Sequence, residues 1–82
     1  MDEYKRVSCH FYDVLETAAV KKTLSKIVYI EDDKEKEIQQ KVIDFKIIDK
    51  AEYMILDNSQ KIRLDKIVLF NNINPFAWYS LY

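Results

Sequence analysis

The 82-residue sequence contains no glycine, one proline, one cysteine and one histidine. Without glycine, the chain has none of the glycine-rich loops that cradle phosphate groups in nucleotide-binding proteins. A single cysteine cannot form an intrachain disulfide, so stability has to come from apolar packing, and the chain suits a reducing compartment. One cysteine and one histidine also fall short of the three or four ligands that a zinc ion requires. We therefore expect no metal site and no cofactor.

The sequence also lacks an excess of positive charge and a long apolar run. Its 14 acidic and 13 basic residues give a net charge of -1, whereas a protein that neutralises many phosphates is usually strongly basic. No apolar run is long enough to cross a bilayer, and the first residues, MDEYKR, contain no signal-peptide core. The sequence therefore predicts no membrane contact, a cytoplasmic location and no direct binding of nucleic acid.

Catalysis has little support in the residues present. A nucleophile needs a base within hydrogen-bonding distance, and the only thiol and the only imidazole, Cys9 and His10, are neighbours in the sequence. Neighbouring residues of a helix point about 100° apart, so these two side chains do not face each other. We expect Cys9 to be a small buried hydrophobe rather than a reactive thiol. We predict a binding protein without enzymatic activity.

One stretch, Ser8 to Ala19, has apolar residues at helical spacing, and we interpret it as the helix around which the chain is organised. Ser8 can cap the first turn, and the helix is expected to span about residues 8–20. Tyr12, Asp13 and Glu16 share one face, where they are expected to project a phenol and two carboxylates into solvent. The neighbouring apolar side, which should cover a sheet, is formed by Phe11, Val14, Leu15, Ala18 and Ala19.

The next part of the chain favours antiparallel strands. The segment SKIVYIE leads into a polar turn at Glu31 to Lys34, and Lys36 to Phe45 is expected to return as a long bent strand with a bulge. Lys46 to Ala51 is expected to be a connection. Glu52 to Leu56 then begins a second hairpin, which turns at residues 57–60.

Ile67 to Phe70 is the last predicted strand, so about five short strands lie within residues 24–70. They fit a small bent barrel better than a flat sheet, whose edges would stay open. The sequence thus predicts one α+β, mostly β, domain of residues 1–82, with an N-terminal α-helix packed on a five-stranded antiparallel barrel. The aromatic tail, residues 71–82, is expected to pack on the barrel as extra core, with an interaction patch as the alternative.

Three groups of residues, in this order, resemble the Rof family of bacterial Rho-binding antiterminators. They are Cys9-x-x-Tyr12-Asp13-x-Leu15-Glu16-x-Ala18, then Glu52-Tyr53, and then Ile62-Arg63-Leu64-Asp65-Lys66-Ile67. The resemblance covers roughly Tyr4 to Phe70 and implies that the barrel is Sm-like. It also implies a function, because family members bind the hexameric transcription termination factor Rho so that RNA cannot occupy its primary site.

The resemblance further implies which residues contact Rho. The helix face would be the main contact, and an acidic face also suits a basic RNA-binding surface, which it would occupy in place of phosphate. The loop from Lys46 to Lys50 would be a second contact. For Arg63 and Asp65 we expect instead a local pair that fixes the last strand. The implied partner-binding residues are Tyr12, Asp13, Glu16, Lys46, Asp49 and Lys50.

Two alternatives to Rho binding stay open at this point. Sm-like barrels often bind RNA, and lysines occur along the predicted strands. The chain could also be a protein-interaction regulator with another target. In every case we expect a monomer when the protein is free.

Overall fold

The computed structural model of the protein describes residues 4–75. One helix, α1 (Cys9–Lys21), precedes five strands, which are β1 (Leu24–Glu31), β2 (Lys34–Ile48), β3 (Ala51–Leu56), β4 (Lys61–Arg63) and β5 (Ile67–Phe70). A single 3-10 turn, Leu64–Lys66, joins β4 to β5. The described part of the chain is therefore α+β and mostly β, as the sequence predicted. The aromatic residues predicted to pack as a tail, Phe76 to Tyr82, lie outside the described residues.

The five strands form one antiparallel sheet in the order β4-β3-β2-β1-β5. Strands β4 and β5 are its two edges and do not pair with each other in the described part of the chain, so the sheet is not closed into the predicted barrel. Both edge strands are short, and the turn Leu64–Lys66 contacts both β3 and β1 as the chain passes from one edge to the other. This crossing is made by a turn rather than by a strand ladder.

Strand β2 takes part in both halves of the sheet. Its first part pairs with β1 as far as Lys41, and its second part pairs with β3 from Val42 to Ile48. The register shifts between Val42 and Asp44, as in a β-bulge, which inserts one extra residue and bends the strand. The predicted long, bulged strand is confirmed.

The predicted connection from Lys46 to Ala51 is wrong. Lys46 continues β2 and pairs with Tyr53, and the chain reverses at Asp49 and Lys50 alone. These two residues have φ of 50° and 68°. Two consecutive positive-φ residues reverse a strand directly, because their twist matches that of the hairpin.

Tight turns are built here without glycine. Asp32 and Asp33, like Asp49 and Lys50, are consecutive residues with positive φ, and a third such pair follows β5. Aspartate and asparagine tolerate this region better than other non-glycine residues. They account for five of the eight described positive-φ residues, which are Lys22, Asp32, Asp33, Asp49, Lys50, Ser59, Asn71 and Asn72.

The helix begins and ends with side-chain and backbone caps. The Ser8 hydroxyl accepts a hydrogen bond from the Phe11 amide at 3.1 Å, which confirms the predicted N-cap. At the other end Lys22 has φ 53°, and the amides of Lys22 and Thr23 donate to the carbonyls of Ala19 and Ala18, as in a Schellman motif. In residues 4–75 no helix is long and apolar enough to cross a membrane.

The apolar side of α1 covers the sheet as predicted. Phe11 and Leu15 are fully buried, and the Phe11 ring meets the Phe70 ring edge-on at 6.4 Å between centroids. Val14 and Ala19 are partly buried against the same core. Every element contributes to this one cluster, whose buried members are Val7, Phe11, Leu15, Ala18, Ile27, Tyr29, Val42, Met54, Leu56, Ile62, Leu64, Ile67 and Phe70.

Candidate functional site

Tyr12 joins the helix to strand β2. Its ring centroid lies 5.3 Å from that of Phe45, with the two ring planes tilted by 38°. Tyr12 is partly buried by this contact, so the expectation that it projects into solvent is wrong for its ring. Helical spacing placed Tyr12 beside the carboxylates, but it could not show that β2 passes close enough to pack on the ring.

Two open clefts meet at Tyr12. The first, of about 240 Å³, lies beside the start of α1 and is lined by Arg6, Val7, Cys9, Tyr12, Asp13 and Glu52. The second, of about 300 Å³, lies between α1 and the β2–β3 hairpin, and we call it the Tyr12 cleft; its lining residues are Tyr12, Phe45, Lys46, Ile47 and Glu52. Tyr12 and Glu52 border both clefts, so they lie at the centre of this surface.

The two acidic residues of the predicted helix face, Asp13 and Glu16, are exposed. They line a further groove on the outer side of α1, and Asp13 also borders the first cleft. Asp13 and Glu16 therefore continue the surface that begins at Tyr12. The structure brings these three predicted residues together on one side of the molecule.

The phenol of Tyr12 stays protonated at neutral pH. Its pKa is raised above the ordinary value of 10.0, first by burial against β2 and then by the negative charges of Glu16 and Glu52. A neutral phenol can donate a hydrogen bond, whereas a phenolate would add to the negative charge already present. Tyr12 is therefore a polar aromatic surface between carboxylates.

Glu52 is held in place by the segment that precedes the helix. The Tyr4 hydroxyl donates to Glu52 Oε1 at 3.1 Å, and the Arg63 guanidinium lies 5.8 Å from the Tyr4 ring centroid. Burial, followed by the nearby Glu52 carboxylate, raises the pKa of Tyr4 well above its usual range. Tyr4 thus links Glu52 to β4.

Arg63 and Asp65 form the predicted local pair. Arg63 Nε donates to Asp65 Oδ1 at 2.6 Å, and a second guanidinium nitrogen donates to Asp65 Oδ2 at 2.9 Å. The backbone amide of Lys5 also donates to Asp65 Oδ2 at 2.9 Å. The pair therefore fixes both the start of β5 and the N-terminal segment, and the second of these roles was not predicted.

The residues of the predicted second contact, Lys46 to Lys50, lie in two different parts of the β2–β3 hairpin. Lys46 lies in β2 and borders the Tyr12 cleft. Asp49 and Lys50 form the exposed turn of the β2–β3 hairpin, and within residues 4–75 no hydrogen bond or ion pair joins them to α1. The helix face and Lys46 both border the Tyr12 cleft, whereas Asp49 and Lys50 line neither of the two clefts nor the outer groove.

Sequence reasoning missed three residues of the Tyr12 cleft. Phe45 and Ile47 alternate along β2, and Ile47 pairs with Glu52 across the ladder, so one face of the hairpin carries all three. Period-2 spacing extended beyond Phe45 would have indicated Ile47. The prediction that Cys9 is buried is also wrong, because Cys9 is exposed. It precedes the buried Phe11 by two residues, which places it about 200° away around the helix.

This surface carries groups that are suited to binding a partner. It offers two aromatic rings, an exposed isoleucine and carboxylates, which suit a partner that carries both apolar and cationic groups. Within residues 4–75 no group of three or more histidine, cysteine, aspartate or glutamate side chains could hold a metal ion. No protein-family model matches the chain, and no curated protein matches it either.

Proposed function

We propose that this protein binds the transcription termination factor Rho and blocks its RNA binding, so that Rho-dependent termination is inhibited. The proposal rests on the sequence resemblance to the Rof family, together with one structural observation, the partly buried Tyr12 ring at the centre of an acidic surface. Interfaces are commonly anchored by a central aromatic residue inside a polar rim. The proposal includes an Sm-like fold for the helix and its five-stranded sheet.

The charges of the site support competition with RNA. Asp13 and Glu16 are exposed, and Glu16 and Glu52 both lie close enough to raise the pKa of Tyr12. Carboxylates at these positions would bind the lysine and arginine side chains with which an RNA-binding surface holds phosphates. Because this protein and RNA would bind to the same cationic side chains of Rho, the two could not bind there at the same time.

Direct RNA binding by this chain has weaker support from the described residues. Two of the lysines on the β1–β2 hairpin have acidic neighbours, with Lys36 Nζ 2.6 Å from Glu31 and Lys26 Nζ 3.8 Å from Glu37. The net charge of -1 also gives little attraction for a polyanion. The charges of the described residues therefore favour a protein partner over direct RNA binding.

Affinity capture from a bacterial lysate is the first experiment. The 82-residue chain is immobilised, and the captured material is analysed for protein and for RNA. We expect Rho to be recovered, and purified Rho should then lose bound RNA as the protein is added. Recovery of RNA without Rho would favour the RNA-binding alternative and contradict this proposal.

A charge-reversal variant tests the surface itself. We expect Asp13→Lys combined with Glu16→Lys to abolish binding to Rho and to restore termination in a transcription assay. Glu35→Lys with Asp57→Lys is the matched control, because it makes the same change in net charge at exposed residues that line neither cleft and have no positive φ. If the folded double variant displaces RNA from Rho at the wild-type concentration, the acidic helix face is not the contact surface.

Salt dependence gives an independent measurement on the wild-type protein. Exposed charge contacts are screened by salt, and charges at an interface rim act mainly on the association rate. We expect the association rate with Rho to fall as ionic strength rises. Tyr12→Ala should instead speed dissociation, since the lost ring provides desolvated contact area worth about 2 kcal/mol in typical interface anchors.

A further inference from the structure

We propose that the Tyr12 cleft is a pocket for one arginine side chain of the partner protein. The guanidinium would lie against the Tyr12 and Phe45 rings and pair with the Glu52 carboxylate. This inference deepens the proposed function and rests on it only for the source of the arginine, which would be Rho. The pocket itself can be tested without Rho.

The aromatic wall of the Tyr12 cleft is the first observation that favours an arginine pocket. The Tyr12 and Phe45 rings lie 5.3 Å apart at a tilt of 38°, and Ile47 lines the same cleft with three quarters of its surface exposed. Rings and aliphatic surface of this kind pack against the stem of a long side chain and against the planar face of a guanidinium. A volume of about 300 Å³ leaves room for one such side chain.

The orientation of Glu52 is the second support. Tyr4 donates to Oε1, and within residues 4–75 no other hydrogen-bond donor to the Glu52 side chain is present. The second carboxylate oxygen can therefore accept a hydrogen bond from a ligand. Because Tyr4 fixes the side chain, less conformational freedom is lost when a ligand binds.

The third observation that favours an arginine pocket is the negative charge around the two rings. Glu16 and Glu52 both raise the pKa of Tyr12, so their negative potential reaches the ring. Arg6 borders the first cleft and Lys46 borders the Tyr12 cleft, but both residues are exposed, and their flexible stems allow the charged groups to extend into water. Glu52, held by Tyr4, is the fixed charge of the cleft.

Arginine fits these features better than lysine does. The guanidinium is planar and weakly hydrated, so it can stack on a ring and donate to a carboxylate at the same time. An ammonium group is compact and strongly hydrated, and it would lose more water on entering an aromatic cleft. We therefore expect the pocket to distinguish the two cations.

Titration of the full chain with short peptides, followed by NMR, tests the pocket. The probes are Ac-Gly-Arg-Gly-NH2, the matching lysine peptide, and the citrulline peptide, which keeps the shape of arginine without its charge. We expect saturable shifts of the Tyr12, Phe45 and Glu52 signals with the arginine peptide, about fivefold weaker binding of the lysine peptide, and no saturation with citrulline. Equal binding of the citrulline peptide, or no saturation with arginine up to about 50 mM, would overturn the proposal.

Two variants locate the binding in the cleft. Glu52→Gln keeps the acceptor for Tyr4 but removes the charge, and we expect the arginine peptide to bind about tenfold more weakly. Asp57→Asn is the matched control, since Asp57 is an exposed carboxylate that follows β3 and lines neither cleft. If both variants lost affinity for the arginine peptide to the same extent, the peptide would be attracted by the overall acidity of the protein, and the proposed pocket would be wrong.

Failure of the pocket and failure of the proposed function give different results. If the protein binds Rho but not the arginine peptide, the function stands and the pocket is wrong. If it binds the peptide in the Tyr12 cleft but not Rho, the pocket stands and its partner is another protein with an exposed arginine.

Discussion

The two ends of β2 can be compared directly, because each is joined to its neighbouring strand by two residues of positive φ. At the β1 end, the turn is Asp32 and Asp33, and all residues from 31 to 37 are exposed. At the β3 end, the turn is Asp49 and Lys50, and the strand before it packs on Tyr12 through Phe45. The hairpins form by the same local means, but only the second is covered by the helix. Contact with α1, rather than hairpin geometry, is what creates a candidate site.

The largest difference between the two ends should appear in the core beneath them. Met54 pairs with Phe45 at the β3 end and is fully buried. We expect Met54→Ala to lower the free energy of unfolding by about 2 to 5 kcal/mol, because the lost side chain leaves a cavity. Urea denaturation followed by circular dichroism measures this change.

The control for this prediction is Gln39→Ala in the exposed part of β2. Gln39 pairs with Lys26 and is open to solvent, so its loss should change the free energy of unfolding by no more than about 0.5 kcal/mol. Similar values for the two variants would mean that the two ends of β2 do not differ in burial, which would contradict the comparison.

The next effect concerns alkaline pH at the β3 end. The folded-state pKa of Tyr4 is raised above its ordinary value of 10.0, first by burial and then by Glu52. Its contribution to stability is therefore fully present below pH 10.0 and is lost as the pH rises through the folded-state pKa, because the unfolded chain ionises first. We expect Tyr4→Phe to be less stable than the wild type at pH 7 and to lose less stability at high pH. Thermal melts across this range provide the measurement, and parallel curves for the two proteins would contradict the assignment.

A smaller effect is expected for the ring contact itself. A double-mutant cycle of Tyr12→Ala and Phe45→Ala should give a coupling of about 0.5 to 1.5 kcal/mol, as aromatic pairs do beyond their buried area. The corresponding cycle at the β1 end, Glu31→Ala and Lys36→Ala, should give no coupling above experimental error. That ion pair is short, at 2.6 Å, but both side chains are exposed and water and salt screen it. A larger coupling for the ion pair would reverse the order that the structure predicts.

The smallest effect distinguishes the two turns. Lys50 has φ 68°, and a lysine side chain does not favour this left-handed region as aspartate or asparagine does. We therefore expect Lys50→Gly to stabilise the protein by about 0.5 to 1 kcal/mol after the entropy cost of glycine is included. Asp33→Gly should stabilise less, because aspartate tolerates the same region. Denaturation midpoints of the two variants test this. A loss of stability for Lys50→Gly would indicate that the Lys50 side chain makes a contact of its own.

Local patterns in the sequence predicted the elements well and their contacts less well. Ser8, the apolar side of α1 and the bulged β2 follow from spacing and capping, which depend on neighbouring residues. The contact of Tyr12 with Phe45 joins positions 33 apart in the chain, and no periodicity within the helix or the strand contains it. The end of β2 was missed for another reason: Asp49 and Lys50 alone reverse the chain, and without glycine this two-residue turn is not marked in the sequence.

The continuity of β2 has a consequence for how the molecule comes apart. Opening either hairpin removes hydrogen bonds from the same strand, and the core cluster draws buried residues from both halves of the sheet. Because the two halves share both a ladder and a core, we expect their amide hydrogens to exchange as one cooperative unit rather than as separate subdomains. The surface around Tyr12 is thus attached to a strand that pairs in both halves of the sheet, and we expect a partner that binds there to stabilise the whole sheet against unfolding.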